Sequence, residues 1–254
     1  MRVLFSDLDR TLIYSHRHEI SGEKIPVEYY RDRVQSYISL SNLNALEIYC
    51  RENLFIPVTT RHMEQYERLS PLYEKLKFPY ALICNGAVLL RDNVIDRDWS
   101  DDSVKLSEPY LPVLEDIYRY FIKIIDTEHI HFVKPFFLYA KTEKAYDIYE
   151  NLKNKFMGVD IFYNEYKIYC IPETISKGNC VRRFKKIYCR DMQDFAIGDS
   201  MFDFSMMREC SYAFAPIDCD IDGNIKKLGI PFDFSEVFRI MCEISCTDKS
   251  DSAF

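Results

Sequence analysis

The sequence predicts a doubly wound α/β core built on a parallel sheet, with a smaller α+β lid inserted into it. Three observations carry this expectation. Short apolar runs alternate with stretches of helical spacing through residue 87, charged and aromatic residues alternate in the middle of the chain, and the α/β alternation resumes after Pro172. The core is expected over residues 1–87 and 172–254, and the lid over 88–171.

Val3, Leu4 and Phe5 have the β-branched and aromatic makeup of a buried parallel strand, and polar residues begin where that strand would end. Residues 14–33 are polar and turn-rich, and Ser21-Gly22 between short alternating segments predicts a hairpin flap beside the strand end. Ser41 reads as the N-cap of a helix through Leu43, Leu46, Ile48 and Cys50 that ends near Asn53. LFIPVTT, residues 54–60, is a second buried strand ending in hydroxyls. Residues 61–77 carry Met63, Tyr66, Leu69, Leu72, Tyr73 and Leu76 at helical spacing. YALICNGAVLL then forms a third strand, interrupted at Asn85-Gly86.

In the lid we expect a strand or hairpin over 88–96, a loop around Trp99, a helix near 109–126 and a strand near 129–140. A helix near 142–156 and strands near 159–171 complete it, and the lid aromatics read as core and sheet face rather than as a ligand platform. After Pro172 the pattern predicts a helix over 176–187, a strand over 192–199, a helix over 201–209, a short strand at Ser211–Ala215 and a closing helix over 234–244. The polar tail from Cys246 is expected to fray.

Composition narrows the class. The chain has 254 residues, 48% hydrophobic and 29% charged, enough for a sizeable core. Its formal net charge is −7, with Lys and Arg scattered, which argues against a nucleic-acid partner. No signal-peptide pattern opens the chain and no apolar run approaches the roughly 18 residues of a membrane span. We therefore expect no membrane partner and a cytoplasmic location. Nine cysteines include no C-x-x-C pair, and Cys84, Cys170 and Cys180 sit in apolar stretches, so buried thiols are expected rather than disulfides or a metal cluster.

Asp7 and Asp9 lie where the first strand ends, and alternation lets both point one way with Leu8 opposite. Two carboxylates so close suit a magnesium ion, which takes hard oxygen ligands, or a division of labour between attack and proton transfer. A plainer reading is a strand-to-loop junction in which Thr11 caps the next segment. Other strand ends offer Thr59, Thr60 and Arg61, then Asn85, then Asp199, Ser200 and Asp203. Parallel strands expose their carboxyl ends on one side, so these groups can meet in one cleft. Lys177 stands at a predicted helix start, where a cation gains nothing from the helix dipole and reads as solvated unless an anion lies nearby.

These residues resemble the haloacid dehalogenase superfamily over nearly the whole chain and in order. VLFSDLDRTLI is similar to its first motif, FIPVTTR to its second, ISKGNCV to its lysine motif and FAIGDSMFDFSMM to its acidic motif. ICNGAV resembles a segment of the subgroup whose lid lies between the second and third motifs. That subgroup includes Cof-like, sucrose-phosphatase-like and mannosyl-3-phosphoglycerate phosphatase-like proteins.

The resemblance implies a Rossmann-like core and an inserted cap. It also implies a phosphatase of small phosphorylated metabolites, sugar or polyol phosphates in particular, working through an aspartyl-phosphate. Asp7 would be the nucleophile and Asp9 the acid and base, with a pKa raised by neighbouring carboxylates. Asp7, Asp9, Thr59, Thr60 and Lys177 would bind the phosphoryl group. Mg2+ would be held by Asp7, the Asp9 carbonyl and Asp199, with Thr11, Arg61, Asn85 and Asp203 in support. A phosphosugar mutase of the same superfamily, or a non-catalytic regulatory protein keeping the fold, are the alternatives, and a monomer or weak homo-oligomer is expected. Arg10, Thr60 and Phe202 depart from the family pattern, and Arg10 is expected against solvent or the flap.

Overall fold

The computed structural model describes residues 1–219, 221 and 223–251, and side chains through Ser245. The first strand, β1 (Arg2–Ser6), buries Val3, Leu4 and Phe5 completely. A flap comes next, made of β2 (Tyr14–Ser15), β3 (Lys24–Tyr30) and β4 (Arg33–Ser39). Its tight turn is at Arg31-Asp32, both with positive φ, and not at Ser21-Gly22 as expected. The pairing of Lys24 with Ser39 explains the shift, since it carries one hairpin across the whole segment.

Helix α1 (Leu40–Tyr49) begins two residues earlier than read, because Ser39 rather than Ser41 accepts from the Asn42 N–H. Strand β5 (Leu54–Pro57) runs parallel to β1. The single helix expected over 61–77 is two, α2 (Met63–Glu67) and α3 (Ser70–Leu76), with Pro71 in the first turn of the second. Proline has no N–H to continue the ladder of a preceding helix, so the break falls before it. Strands β6 (Tyr80–Ile83), β7 (Val88–Arg91) and β8 (Val94–Ile95) form a meander, and a parallel bridge from Val58 to Leu82 joins it to the β5 side of the core. Helix α4 (Arg97–Ser107) replaces the loop read around Trp99. Asp96 caps it, and Trp99 is buried against Phe184.

The inserted part comprises α5 (Leu111–Phe121), β9 (Ile130–Val133), β10 (Phe137–Lys141), α6 (Ala145–Leu152), β11 (Val159–Asn164) and β12 (Lys167–Pro172). The strand expected over 129–140 is a hairpin, β9 with β10, and Pro135 falls at its turn. The sheet is antiparallel in the order β11-β12-β10-β9. Leu114, Ile117, Phe121, Leu138, Ile148 and Ile168 form a core of their own beneath it. By packing, residues 88–107 side with the main body, since β7 pairs with β6 and Trp99 joins the main core. We therefore propose that the lid begins near residue 108 rather than at 88.

The chain returns through α7 (Lys177–Tyr188), β13 (Gln193–Ile197), α8 (Phe204–Glu209), β14 (Tyr212–Pro216), an additional strand β15 (Ile225–Leu228) and α9 (Phe234–Asp251). Helix α9 continues past residue 244. For the tail from Cys246, the side chains and residues 252–254 lie outside the described residues. The main sheet is five-stranded and parallel, in the order β15-β14-β13-β1-β5. Its strands are apolar on both faces. Leu4, Phe55 and Phe195 pack toward α1 and α9, and Phe5, Ile56 and Ala196 toward α7 and α8. This double cover is the doubly wound arrangement, and it leaves the carboxyl ends of β1, β5 and β13 free on one side.

Candidate active site

Asp7 leaves the end of β1 with its N–H donated to the Ile197 carbonyl of β13 at 3.0 Å, which ties the two strand ends together. Lys177 is the first residue of α7, capped by Ser176, and it is 1% exposed. Its ammonium donates to Asp7 Oδ1 at 2.5 Å and to Asp203 Oδ1 at 2.7 Å. The solvated reading of Lys177 is thus replaced by a buried one with two anionic partners. Asp203, wholly buried, accepts at its other oxygen from the Ser200 N–H at 3.1 Å and the Ser200 hydroxyl at 3.0 Å. Two glycines allow this crowding. A Cβ on Gly178 would meet the Ser205 carbonyl oxygen at 2.4 Å, and one on Gly198 would meet the Asp203 carboxyl carbon at 2.4 Å.

One carboxylate oxygen each from Asp7, Asp199 and Asp203 lie within 4.8 Å of one another. Burial raises Asp7 well above the usual carboxylate range; Lys177 opposes the shift, while Asp203 and Asp199 add to it. Burial and Asp203 likewise push Asp199 up to about 7. Three carboxylates thus face one ammonium, whose own pKa is raised against burial by Asp203 and Asp7. A hard divalent cation suits this oxygen set and would offset its excess negative charge. Asp7, Asp199 and Asp203 are the side chains whose oxygens could hold such an ion.

Thr11 is fully buried and donates to Asp199 Oδ1 at 3.4 Å, joining the first motif to the acidic one. Thr60 lines the cleft, whereas Thr59 is buried behind it and accepts from the Arg61 N–H at 3.2 Å. Asn85 does not line the cleft. In a left-handed conformation (φ 58°), it donates to the Ile175 carbonyl at 2.6 Å, which braces the segment entering α7. Arg10 also has positive φ, 64°, in a turn closed by its N–H to the Ile13 carbonyl. Its side chain is partly exposed to solvent, as expected, and its guanidinium lies 3.3 Å from Glu165 of the lid and 3.5 Å from Asp199 rather than against the flap. Phe202 packs against Phe162 and Tyr169 of the lid, with centroids 4.8 and 5.0 Å away.

Asp9 departs from the expectation of a raised pKa. The Arg61 fork grips it with Nε to Oδ2 at 2.8 Å and Nη2 to Oδ1 at 2.7 Å. Burial raises Asp9, but the charge and hydrogen bonds of Arg61 outweigh it and hold the carboxyl below its usual range. Arg61 is in turn held by Glu28 of the flap, with both contacts at 2.9 Å, and Glu28 is buried and accepts from the Ser36 hydroxyl at 2.6 Å. Sequence reading missed Glu28, whose only signal was an acid in an otherwise half-buried strand.

The cleft is about 400 Å3. Tyr139, Tyr166 and Tyr169 line it from the lid, so part of the aromatic group read as core faces the site. Cys84, Cys170 and Cys180 are buried free thiols, as their apolar contexts suggested.

Fold and site together resemble those of haloacid dehalogenase-like hydrolases. The family model described as haloacid dehalogenase-like hydrolase matches residues 114–216, under half of the chain, so this stretch is similar to that family. No curated protein matches it significantly in sequence. Among solved structures, the sucrose-phosphatase of Synechocystis sp., in complex with sucrose and phosphate, superposes with a TM-score of 0.61 at 15% identity over 96% of this chain and 99% of that one. A sugar phosphatase of haloacid dehalogenase subclass IIB gives 0.54 at 14% identity, over 87% and 89%. Trehalose-6-phosphate phosphatase from Aspergillus fumigatus gives 0.53 at 11% identity, over 93% and 89%. These likenesses show the shared core-and-cap fold. Among the described residues, no helix is long and apolar enough to cross a membrane.

Proposed function

We propose that the protein is a magnesium-dependent phosphatase of small phosphorylated metabolites, sugar or polyol phosphates, that works through an aspartyl-phosphate on Asp7. The observation that carries this reading is the Lys177 ammonium, 2.5 Å from Asp7 and 2.7 Å from Asp203 inside a carboxylate cluster. A carboxylate and a phosphate must come to bonding distance, and their repulsion is strong in a partly dry cleft. Lys177 offsets that repulsion, and Asp203 fixes its ammonium beside Asp7. The bound magnesium would supply further charge neutralisation at the phosphoryl oxygens.

In the first half-reaction an Asp7 oxygen attacks phosphorus, the bond from phosphorus to the leaving oxygen breaks, and Asp9 gives its proton to that oxygen. In the second, Asp9 takes a proton from water as the water oxygen attacks phosphorus, which releases inorganic phosphate and restores Asp7. The Arg61 fork holds Asp9 ionised, the form needed for the second step. An incoming phosphoryl group competes with Asp9 for that guanidinium, freeing the carboxyl to carry the proton of the first. Thr60 lines the cleft where a phosphoryl oxygen would lie. The lid, seated through Phe202 and Arg10, limits bulk water.

A panel of phosphorylated metabolites, assayed for phosphate release with magnesium and with chelator, tests this reading. Release matched to substrate loss, abolished by chelation and by Asp7→Asn, is expected. Turnover that survives Asp7→Asn would overturn the nucleophile, and isomerised sugar phosphate without phosphate release would replace hydrolysis by transfer.

A further inference from the structure

Charge in the cleft divides into pairs and a remainder. Lys177 is matched by Asp7 and Asp203, Arg61 by Asp9 and Glu28, and Arg10 by Glu165 and Asp199. Arg17, Arg68 and Lys167 also line the cleft, yet none has a carboxylate within 4.0 Å among the described residues. They come from three separate parts of the chain: the loop between β2 and β3, the end of α2, and the first residue of β12 in the lid. In a chain of net charge −7, these three cations without a direct carboxylate partner bring the cleft to six cations against six carboxylates, locally neutral rather than acidic.

Two details argue that these three cations serve a ligand. Lys167 stands directly across the lid sheet from Lys141, and like charges so placed repel unless an anion lies between or beside them. The Arg68 guanidinium lies 4.2 Å from the centroid of the Tyr30 ring of the flap, which holds a flexible cation in place without neutralising it. The cations also lie outside the buried Lys177 cluster, where the reacting phosphoryl group would be neutralised.

We propose that Arg17, Arg68 and Lys167 form a second anion subsite, so that the substrate carries, besides the phosphoryl group that is cleaved, another negative group, a carboxylate or a second phosphate. This deepens the phosphatase reading and rests on it for the place of the first phosphate. Lys167 reaches the substrate from the lid, so the subsite forms only with the lid seated, and it selects charged phosphomonoesters over neutral ones.

The test uses probe pairs that differ chiefly in the second anion: 3-phosphoglycerate against glycerol 3-phosphate, and fructose 1,6-bisphosphate against fructose 6-phosphate. Phosphate release by the unaltered protein and calorimetric affinity for Asp7→Asn protein are measured in magnesium buffer. The expected result is a preference of roughly tenfold or more for the doubly anionic member of at least one pair, as a charge-assisted contact gives. The favoured pair tells a carboxylate from a phosphate. Lys167→Met and Arg68→Met should each remove roughly tenfold of that preference while leaving glycerol 3-phosphate within about twofold. Equal handling of both members of both pairs, or equal losses on both members, overturns the subsite. Hydrolysis without preference would sink the subsite and keep the phosphatase; preferential binding without hydrolysis by the unaltered protein would do the reverse.

Discussion

Lys177 is the side chain on which the site turns, because its ammonium is buried between two carboxylates. Lys177→Met strands Asp7 and Asp203 in the interior, and removal of one partner from a buried ion pair costs about 3–5 kcal/mol. Chemical denaturation should show a loss of that size, with turnover gone. Asp7→Asn has the opposite sign for stability: it removes a charge that burial disfavours, so the denaturation midpoint in chelator should hold or rise while activity is lost. Magnesium should raise the midpoint of the unaltered protein by mass action, about 2.7 kcal/mol at a hundred times its dissociation constant. Asp199→Asn should abolish that increment. If the increment persists, Asp199 is not a ligand. At this scale Asp7 and Asp199 were legible from their places at strand ends, whereas the helix start of Lys177 read as solvated until Asp7 and Asp203 were seen beside it. The lowered pKa of Asp9 was not legible, since it depends on a guanidinium 52 residues away.

Among the elements, α7 and the flap have the most to position. Gly178 lets the first turn of α7 touch the Ser205 carbonyl, and this contact sets where Lys177 enters the site. Gly178→Ala must push the two helices apart, a strain of about 1–3 kcal/mol. A fall in stability of that order with a larger fall in kcat than in KM is expected. An unchanged kcat would show that Lys177 tolerates the shift. The flap acts through Glu28, which faces Arg61 across 33 residues of sequence. The flap was foreseen beside the aspartates, but its turn and register were not. Ser21-Gly22 has the better local turn chemistry, whereas the observed turn at Arg31-Asp32 results from pairing along the whole of β3 and β4. For the same reason, local periodicity missed α4, whose polar surface hides one buried tryptophan.

For the whole molecule, the relevant contact is lid on core. Phe202, where the family pattern is polar, sits against Phe162 and Tyr169, and Arg10 pairs with Glu165 across the same boundary. Burial of one aromatic ring contributes about 1.5–3 kcal/mol. Phe202→Ala should therefore loosen the lid, raise KM roughly tenfold and expand the particle in solution scattering, with the core's unfolding midpoint little changed. An unaltered scattering profile and KM would show that other contacts hold the lid. The sequence by itself determined the parallel core, the inserted lid and the strand ends that meet, because a strand's burial pattern and its terminal polar residues are local and parallel topology aligns those ends. Tertiary structure alone decided that β7 and Trp99 pack with the core, that Asp203 braces Lys177 rather than Asp199, that Glu28 and Arg61 restrain Asp9, and that Arg17, Arg68 and Lys167 share a cleft. Each of these rests on partners distant in the chain, whose approach is set by packing and charge and leaves no trace in local pattern.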